Sequence, residues 1–180
     1  PLTSILSNNT SGVITLSTDS LKGYIAPASV HQNELTGAKD IVFVSFGGKV
    51  EKINGEDFSN SWTFTHPGTE SSAEPVLGNF TGDLTPDVFL TLFKGIAPSF
   101  SDFYQVMLDG STGELKFIDS IGQLNYSSGN AIDLNNDGRD EAIASVTYNL
   151  NGYFEHRIEQ INFVSNTISP LTNLEAGVNL

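Results

Sequence analysis

Short apolar runs separated by turn signals dominate the pattern of this chain. Residues 41–46 and 88–93 are rich in Val, Ile, Leu and Phe, and residues 49–53 alternate polar and apolar side chains. Gly, Asn and Asp cluster between such runs, and no stretch keeps a 3.6-residue apolar period over several turns. The pattern therefore predicts an all-β protein. Further strands are predicted at residues 12–17, 21–24, 61–65, 103–108, 114–118, 141–148 and 154–163.

The order of strands and turns starts again twice along the chain. Asp40, Asp87 and Glu141 each stand at the start of an apolar run, with spacings of 47 and 54 residues. Four short strands per unit at such a period predict propeller blades, while regular strand spacing alone also fits a β-sandwich. We predict a β-propeller segment of about three to three and a half four-stranded blades, one of them lacking strands at its edge.

This segment is predicted to form a single domain over residues 1–180. Its approximate repeat units are 25–70, 71–126 and 127–180, and the hairpin at residues 95–99 is expected to have a long loop. Propellers have at least about four blades, so the ring is incomplete. The remaining blades are expected from the same longer protein or from another chain. The chain starts at Pro1 without a methionine or signal peptide, which indicates a processed or truncated product.

Charge and cysteine content exclude several function classes. The chain has 21 acidic and 8 basic residues and a formal net charge of −13. Nucleic-acid binding needs clustered basic residues, so we expect none; the acidic surplus suits either bound cations or a self-repelling surface. The absence of cysteine excludes disulfides, thiolate metal sites and a cysteine nucleophile, and is compatible with bacterial secretion. No apolar run of about 18 residues occurs, so we expect no membrane insertion.

One loop, residues 133–141, carries the pattern of a cation site. Oxygen-bearing side chains occupy its first, third and fifth positions, Gly138 its sixth, and the carboxylate of Glu141 its ninth. Such spacing can wrap Ca²⁺. An EF-hand would need an acid at position twelve, which is Ala144 in an apolar run, so the loop is expected to close at Glu141. The alternative is an Asx-rich turn held by its own side chains.

The two related loops are weaker. The 79–87 loop has Asn79 and Thr81 at positions one and three and Leu84 at position six, with Asp83 and Asp87 as its carboxylates. Leucine resists the left-handed turn that glycine takes easily, so we predict a metal-free turn there. In the first repeat most ligands are missing, and Asp40 is expected only to cap or bridge backbone amides.

Residues 133–143 resemble the loop-plus-strand signature of FG-GAP (integrin-α-like, or VCBS-type) propeller repeats. Residues 78–88 are similar with weaker cation residues, and residues 109–115 resemble a turn of related propeller blades; the resemblance covers roughly residues 25–163. It implies a structural Ca²⁺, although family loops usually carry Asp where this chain has Glu141. The implied ligands are the side chains of Asp133, Asn135 and Asp137, the backbone carbonyl of Arg139 and the carboxylate of Glu141.

No catalytic constellation is recognisable. His31, His66 and His156 are scattered and lie in no nucleophile or zinc motif. Five aromatic residues are expected either to pack in blade cores and between blades or to stack on sugars or anchor a partner: Trp62, Phe64, Tyr104, Tyr148 and Tyr153.

The resemblance implies a non-catalytic, calcium-stabilised module of a secreted or cell-surface protein. Such a module would bind a protein or glycan ligand through the loops on one propeller face. The alternatives left open are a propeller domain of a secreted polysaccharide-active enzyme, either a lyase or a hydrolase, and a quinoprotein-like set of blades.

Overall fold

The computed structural model describes residues 16, 22–83, 85–120, 125–126, 128–150, 153–173 and 175–176. These residues form antiparallel β-strands and contain no helix, which confirms the all-β prediction. No helix that could span a membrane occurs in this part of the chain. The strands are β1 (Ser29–Gln32), β2 (Lys39–Val44), β3 (Lys49–Ile53), β4 (Asn60–Thr65), β5 (Thr69–Glu70), β6 (Val76–Gly78), β7 (Asp87–Ile96), β8 (Ser99–Leu108), β9 (Leu115–Ser120), β10 (Asn130–Ile132), β11 (Glu141–Leu150), β12 (Tyr153–Asn162), β13 (Thr167–Pro170) and β14 (Glu175–Ala176).

The strands form three sheets in which neighbours in sequence pair as antiparallel hairpins. The first sheet has the order β1-β2-β3-β4, the second β5-β7-β8-β9 and the third β10-β11-β12-β13. In the second sheet β6 pairs with β7 beside β5, so the first strand is interrupted. In the third sheet β14 pairs with β12 beside β13. The prediction that one unit lacks edge strands is wrong, because each of the three sheets has four strands in its main order.

Two further strand predictions need correction. Residues 22–24 form no strand; instead the Tyr24 ring packs edge-on against Phe43 at 5.2 Å. The hairpin predicted to have a long loop at residues 95–99 is tight, because β7 and β8 continue to Ile96 and Ser99. A register shift at Gly95, whose φ is 123°, allows this continuation. The predicted strand at residues 12–17 lies outside the described residues except for residue 16.

The second sheet lies between the other two and is buried on both faces. Successive side chains of a strand point to opposite faces, so Val88, Leu90 and Leu92 pack towards the first sheet and Phe89 and Phe93 towards the third. Burial of both faces explains why β7 is almost continuously apolar. At the inner edges of the sheets, β6 lies beside both β1 and β10.

Candidate functional site

Each sheet has a buried carboxylate at the start of its second strand. Asp40 Oδ1 accepts a hydrogen bond from Gly55 N at 3.0 Å. Asp87 Oδ1 accepts from Gly110 N at 3.0 Å, and its Oδ2 accepts from Thr81 N at 2.6 Å. These carboxylates therefore tie the turn between the third and fourth strands to the second strand. The prediction that Asp40 bridges a backbone amide is confirmed.

Glu141 performs the same task in the third sheet with different donors. Its Oε2 accepts from Leu134 N at 2.9 Å. Its Oε1 accepts from the side-chain amides of Asn135 at 2.9 Å and Asn162 at 2.7 Å. The amide of Asn162 thus replaces the glycine N–H of the other two sheets. We call this recurring arrangement the carboxylate clamp.

Glycine is required at the clamp of the first two sheets. A Cβ on Gly55 would lie 2.1 Å from Lys39 O, and a Cβ on Gly110 would lie 1.9 Å from Pro86 O. An Asn or Asp residue begins the corresponding turn in each sheet and stands just before Gly55, Gly110 or, in the third sheet, Phe163. The side chains of Asn54, Asp109 and Asn162 accept hydrogen bonds from backbone N–H groups two or three residues later. The sequence offers only a weak signal for this clamp, since donor and acceptor are 15 to 23 residues apart.

Burial controls the chemistry of the middle clamp. Desolvation raises the pKa of the Asp87 carboxyl, while hydrogen bonds from Gly110 and Thr81 act in the opposite direction. Asp87 is fully buried. Keeping this carboxylate ionised therefore costs free energy of burial, although the ionised group holds the Gly110 turn in place.

The 133–141 loop is wound by its own side chains. Asp133 accepts from Asp137 N at 3.2 Å and from Gly138 N at 2.9 Å. Asn135 Oδ1 accepts from Asp137 N at 2.8 Å, and Asp137 Oδ1 accepts from Arg139 N at 2.9 Å. Gly138 has a φ of 86° and takes the left-handed turn that its position predicts. These are the Asx-turn contacts of the metal-free alternative.

The same side chains fit a hard cation in part. The oxygens of Asp133, Asn135 and Asp137 each keep lone pairs after these bonds, and such oxygens are the ligands that Ca²⁺ prefers. Glu141 is already occupied by three donors. Among the described residues, no group of three His, Asp or Glu side chains could hold a metal ion. A cation site here therefore depends on amide and backbone oxygens besides Asp133 and Asp137.

The 79–87 loop docks on the 133–141 loop. Asn79 N donates to Asp140 Oδ2 at 2.7 Å, Asp140 N donates to Asn79 O at 3.0 Å, and Asn79 Nδ2 donates to Gly138 O at 2.7 Å. Asp83 Oδ1 accepts from Thr85 N at 2.7 Å, whereas Leu84 lies outside the described residues. The first position of the second loop thus binds the third loop, a contact that the sequence pattern did not indicate.

The predicted aromatic candidates lie mainly between sheets. Trp62 is buried and donates from Nε1 to Gly110 O at 3.0 Å. Phe64 and Tyr104 pack against the same cluster, and Tyr148 packs between the second and third sheets and donates to Glu159 Oε1 at 2.7 Å. The side chain of Tyr153 lies outside the described set.

The three histidines lie apart, in β1, after β4 and in β12. Burial lowers the pKa of His31, helped by the Lys52 charge. His66 packs against the Tyr104 ring, and His156 Nδ1 lies 2.8 Å from Thr147 Oγ1. The structure brings no two of these histidines together.

No family model matches the chain, and no curated protein matches it. The solved structure of BamB from Moraxella catarrhalis is similar at a TM-score of 0.30 and 10% identity over 87% of this chain. The chain spans 56% of that protein's length.

Proposed function

We propose that the three sheets are successive blades of an FG-GAP-type propeller. Three antiparallel four-strand meanders lie side by side, and the first strands of neighbouring sheets meet at β6. The carboxylate clamp recurs at Asp40, Asp87 and Glu141. This recurrence is the observation that carries the proposal, because it makes each sheet the same structural unit.

The module is non-catalytic, stabilised by Ca²⁺, and belongs to a secreted or cell-surface protein. Its ligand is a protein or a glycan, bound by the loops at the clamp end of the sheets. In support, the carboxylates of this end already hold backbone amides: Asp40, Asp87, Asp133, Asp137 and Glu141. Structural use of these groups fits a binding surface better than acid–base chemistry.

Asp133, Asn135 and Asp137 would hold the cation, completed by the Arg139 carbonyl and by Glu141 where it exchanges a donor. When bound, the ion supplies positive charge to clustered carboxylates and fixes the loop. The protein's own part is to present these oxygens on a loop that is already wound and docked on Asn79.

A glycan array combined with a reducing-sugar release assay tests the proposed function. Binding to a defined glycan or protein without turnover is the expected result. Turnover that disappears when one carboxylate is replaced would instead make the chain an enzyme.

One observation favours that second candidate, a polysaccharide-active enzyme. Burial raises the pKa of the Asp119 carboxyl against an opposing backbone hydrogen bond from Ser120, and the charges of Glu159 and Asp102 add to the rise. A carboxyl with a raised pKa is what a general acid needs. Under this alternative, Asp119→Asn abolishes sugar release; under the proposed function there is no release to abolish.

The remaining blades, from the same longer protein or from another chain, would cover the outer sheet faces. Side chains there are apolar and partly uncovered: Val30 on the first sheet is 57% exposed, and Ile132 and Ile158 on the third are 48% and 41% exposed. Their strand register places them opposite Ile41, Glu141 and Ser145 on the outward faces.

A further inference from the structure

A pocket of about 220 Å³ opens between the second and third sheets, at the end where the 133–141 loop lies. Its apolar walls include Phe80, Phe117 and Phe163, and its charged lining residues are Lys116 and Arg139. The Phe163 ring lies 4.9 Å from Phe80 and 5.2 Å from Phe117, edge-on to both. Aromatic walls and two cations thus share one small concave site.

The equivalent space between the first and second sheets is filled. Trp62 pairs with Lys52 across β3 and β4, next to a β-bulge, as Phe117 pairs with Met107 across β8 and β9. Both Trp62 Nε1 and Lys52 Nζ donate to Gly110 O at 3.0 Å. The larger ring and the lysine therefore close that junction directly against the clamp glycine.

At the second junction each of these positions differs. Phe117 and Met107 replace the tryptophan and the lysine, and Phe163 stands where the other turns have Gly55 and Gly110. The side chains of Phe117 and Met107 have no N–H group to donate to the turn, as those of Trp62 and Lys52 do, and Phe163 supplies an aromatic wall in place of a bare backbone. The pocket is therefore a local departure from an otherwise repeated packing arrangement.

Arg139 is one of two arginines in the chain. Arg157 pairs with Glu159, whereas Arg139 forms no ion pair with any described carboxylate. The Arg139 side chain lies over Gly82, where an added Cβ would come within 2.7 Å of Nε. The guanidinium of Arg139 presents a planar pair of donors that suits a carboxylate.

Lys116 lines the same pocket and carries an exchangeable partner. Its Nζ is 2.6 Å from Glu114 and 3.9 Å from Asp109. Glu114 is 67% exposed, and surface ion pairs of this kind contribute little. An incoming carboxylate can therefore take the place of Glu114 at small cost.

We propose that this pocket binds a uronate residue of an acidic glycan. The ligand carboxylate pairs with Arg139 and Lys116, and the apolar face of the sugar ring packs against Phe117 and Phe163. The proposal rests on the glycan-binding function above and names its ligand class. The net charge of −13 repels polyanions at long range, so recognition is local and favours short oligomers.

Calorimetry with a galacturonate trisaccharide and its methyl ester tests the assignment, because esterification replaces each charged carboxylate with a neutral, slightly larger ester on the same sugar. The whole chain is compared with Arg139→Gln and Lys116→Gln. Lys94→Gln is the charge-matched control, since Lys94 lies at the opposite end of the β7–β8 hairpin. Urea unfolding of every variant checks that folding is unchanged.

The acid is expected to bind and the ester to bind at least about tenfold more weakly, with a similar loss for each pocket variant and none for Lys94→Gln. Equal binding of acid and ester, or full binding by Arg139→Gln, overturns the pocket assignment while leaving glycan binding intact. Tighter binding of an Asp-rich peptide than of the sugar, lost in the same variants, overturns the ligand class. Failure of wild-type protein to bind any array glycan or protein ligand defeats the proposed function itself.

Discussion

The carboxylate clamp makes strict demands on single residues, above all on Gly110. A Cβ there would lie 1.9 Å from the Pro86 carbonyl oxygen, a backbone atom that cannot move without shifting β7. Its N–H also serves the buried Asp87. Any side chain at residue 110 would therefore clash with the Pro86 carbonyl and displace the N–H that donates to Asp87.

Gly110→Ala is expected to lower the free energy of unfolding by about 3 kcal/mol or more, the upper range for overpacking. Gly37→Ala is the control, because Gly37 has a φ of 73° but nothing within 4 Å of an added Cβ. Its loss should stay near the 1–2 kcal/mol cost of a left-handed alanine, roughly. Urea unfolding measures both, and equal losses would refute the steric explanation.

Asp87 gives a pH prediction whose sign follows from burial. Its folded pKa is raised, so the folded protein takes up a proton at higher pH than the unfolded chain does. The ionised carboxylate costs stability at neutral pH, and this cost is relieved as the pH falls through the folded pKa towards the ordinary value of 3.8. Wild type should therefore gain stability relative to Asp87→Asn on acidification.

Urea titrations of wild type and Asp87→Asn between about pH 7 and pH 3.5 measure this difference. A difference that moves in favour of the variant on acidification would mean that hydrogen bonding outweighs burial and lowers the pKa.

At the scale of elements, the two neighbouring loops form one unit. Asp140 accepts the Asn79 N–H, and the Asn79 amide reaches the Gly138 carbonyl. A cation in the 133–141 loop would therefore stabilise the docked 79–87 loop as well. The predicted ligands of this cation include the carboxylates of Asp133 and Asp137, whereas Asp83 belongs to the loop predicted to be metal-free.

Calcium at about 100 times its dissociation constant should raise the free energy of unfolding by about 2.7 kcal/mol, and EDTA should remove this gain. The double variant Asp133→Asn with Asp137→Asn should lose the calcium response, while Asp83→Asn should keep it. Thermal unfolding with and without Ca²⁺ measures the response. Unchanged melting of wild type in EDTA, with no metal in the purified protein, would exclude structural calcium.

The sequence predicted the strands better than the contacts between them. Residues 41–46, 49–53 and 103–108 lie largely in observed strands, because turn signals and apolar runs are local properties. The tight hairpin at Gly95 was missed since a bulge depends on pairing with Phe100 and Asp102.

The candidate site shows the same limit. The spacing of oxygen-bearing residues in the 133–141 loop can be recognised from the sequence. The amide of Asn162, 21 residues after Glu141, reaches the Glu141 carboxylate only through strand pairing. The pocket depends on Phe117 occupying the place that Trp62 fills one sheet earlier. Such an equivalence requires the strand register, which composition and periodicity do not provide.

At the scale of the whole molecule, the second sheet shows what a covered sheet looks like here, because both faces of β7 are buried. The third sheet has one face of this kind and one open face. Ile161 lies on the packed face and is fully buried, whereas Ile158 lies on the outward face and is 41% exposed. If further blades cover the outward face, a lysine at residue 161 should affect folding, whereas a lysine at residue 158 should affect association.

Ile161→Lys should unfold the third sheet, since an unpaired buried charge and a lost core side chain together cost several kcal/mol, roughly. Ile158→Lys should leave the free energy of unfolding within about 0.5 kcal/mol. It should nevertheless weaken association with whatever covers this face, seen by sedimentation of the chain with itself or with its neighbouring blades. Unchanged association of Ile158→Lys would show that no further blade packs on the outward face of the third sheet. The proposed ring would then have to continue from another sheet.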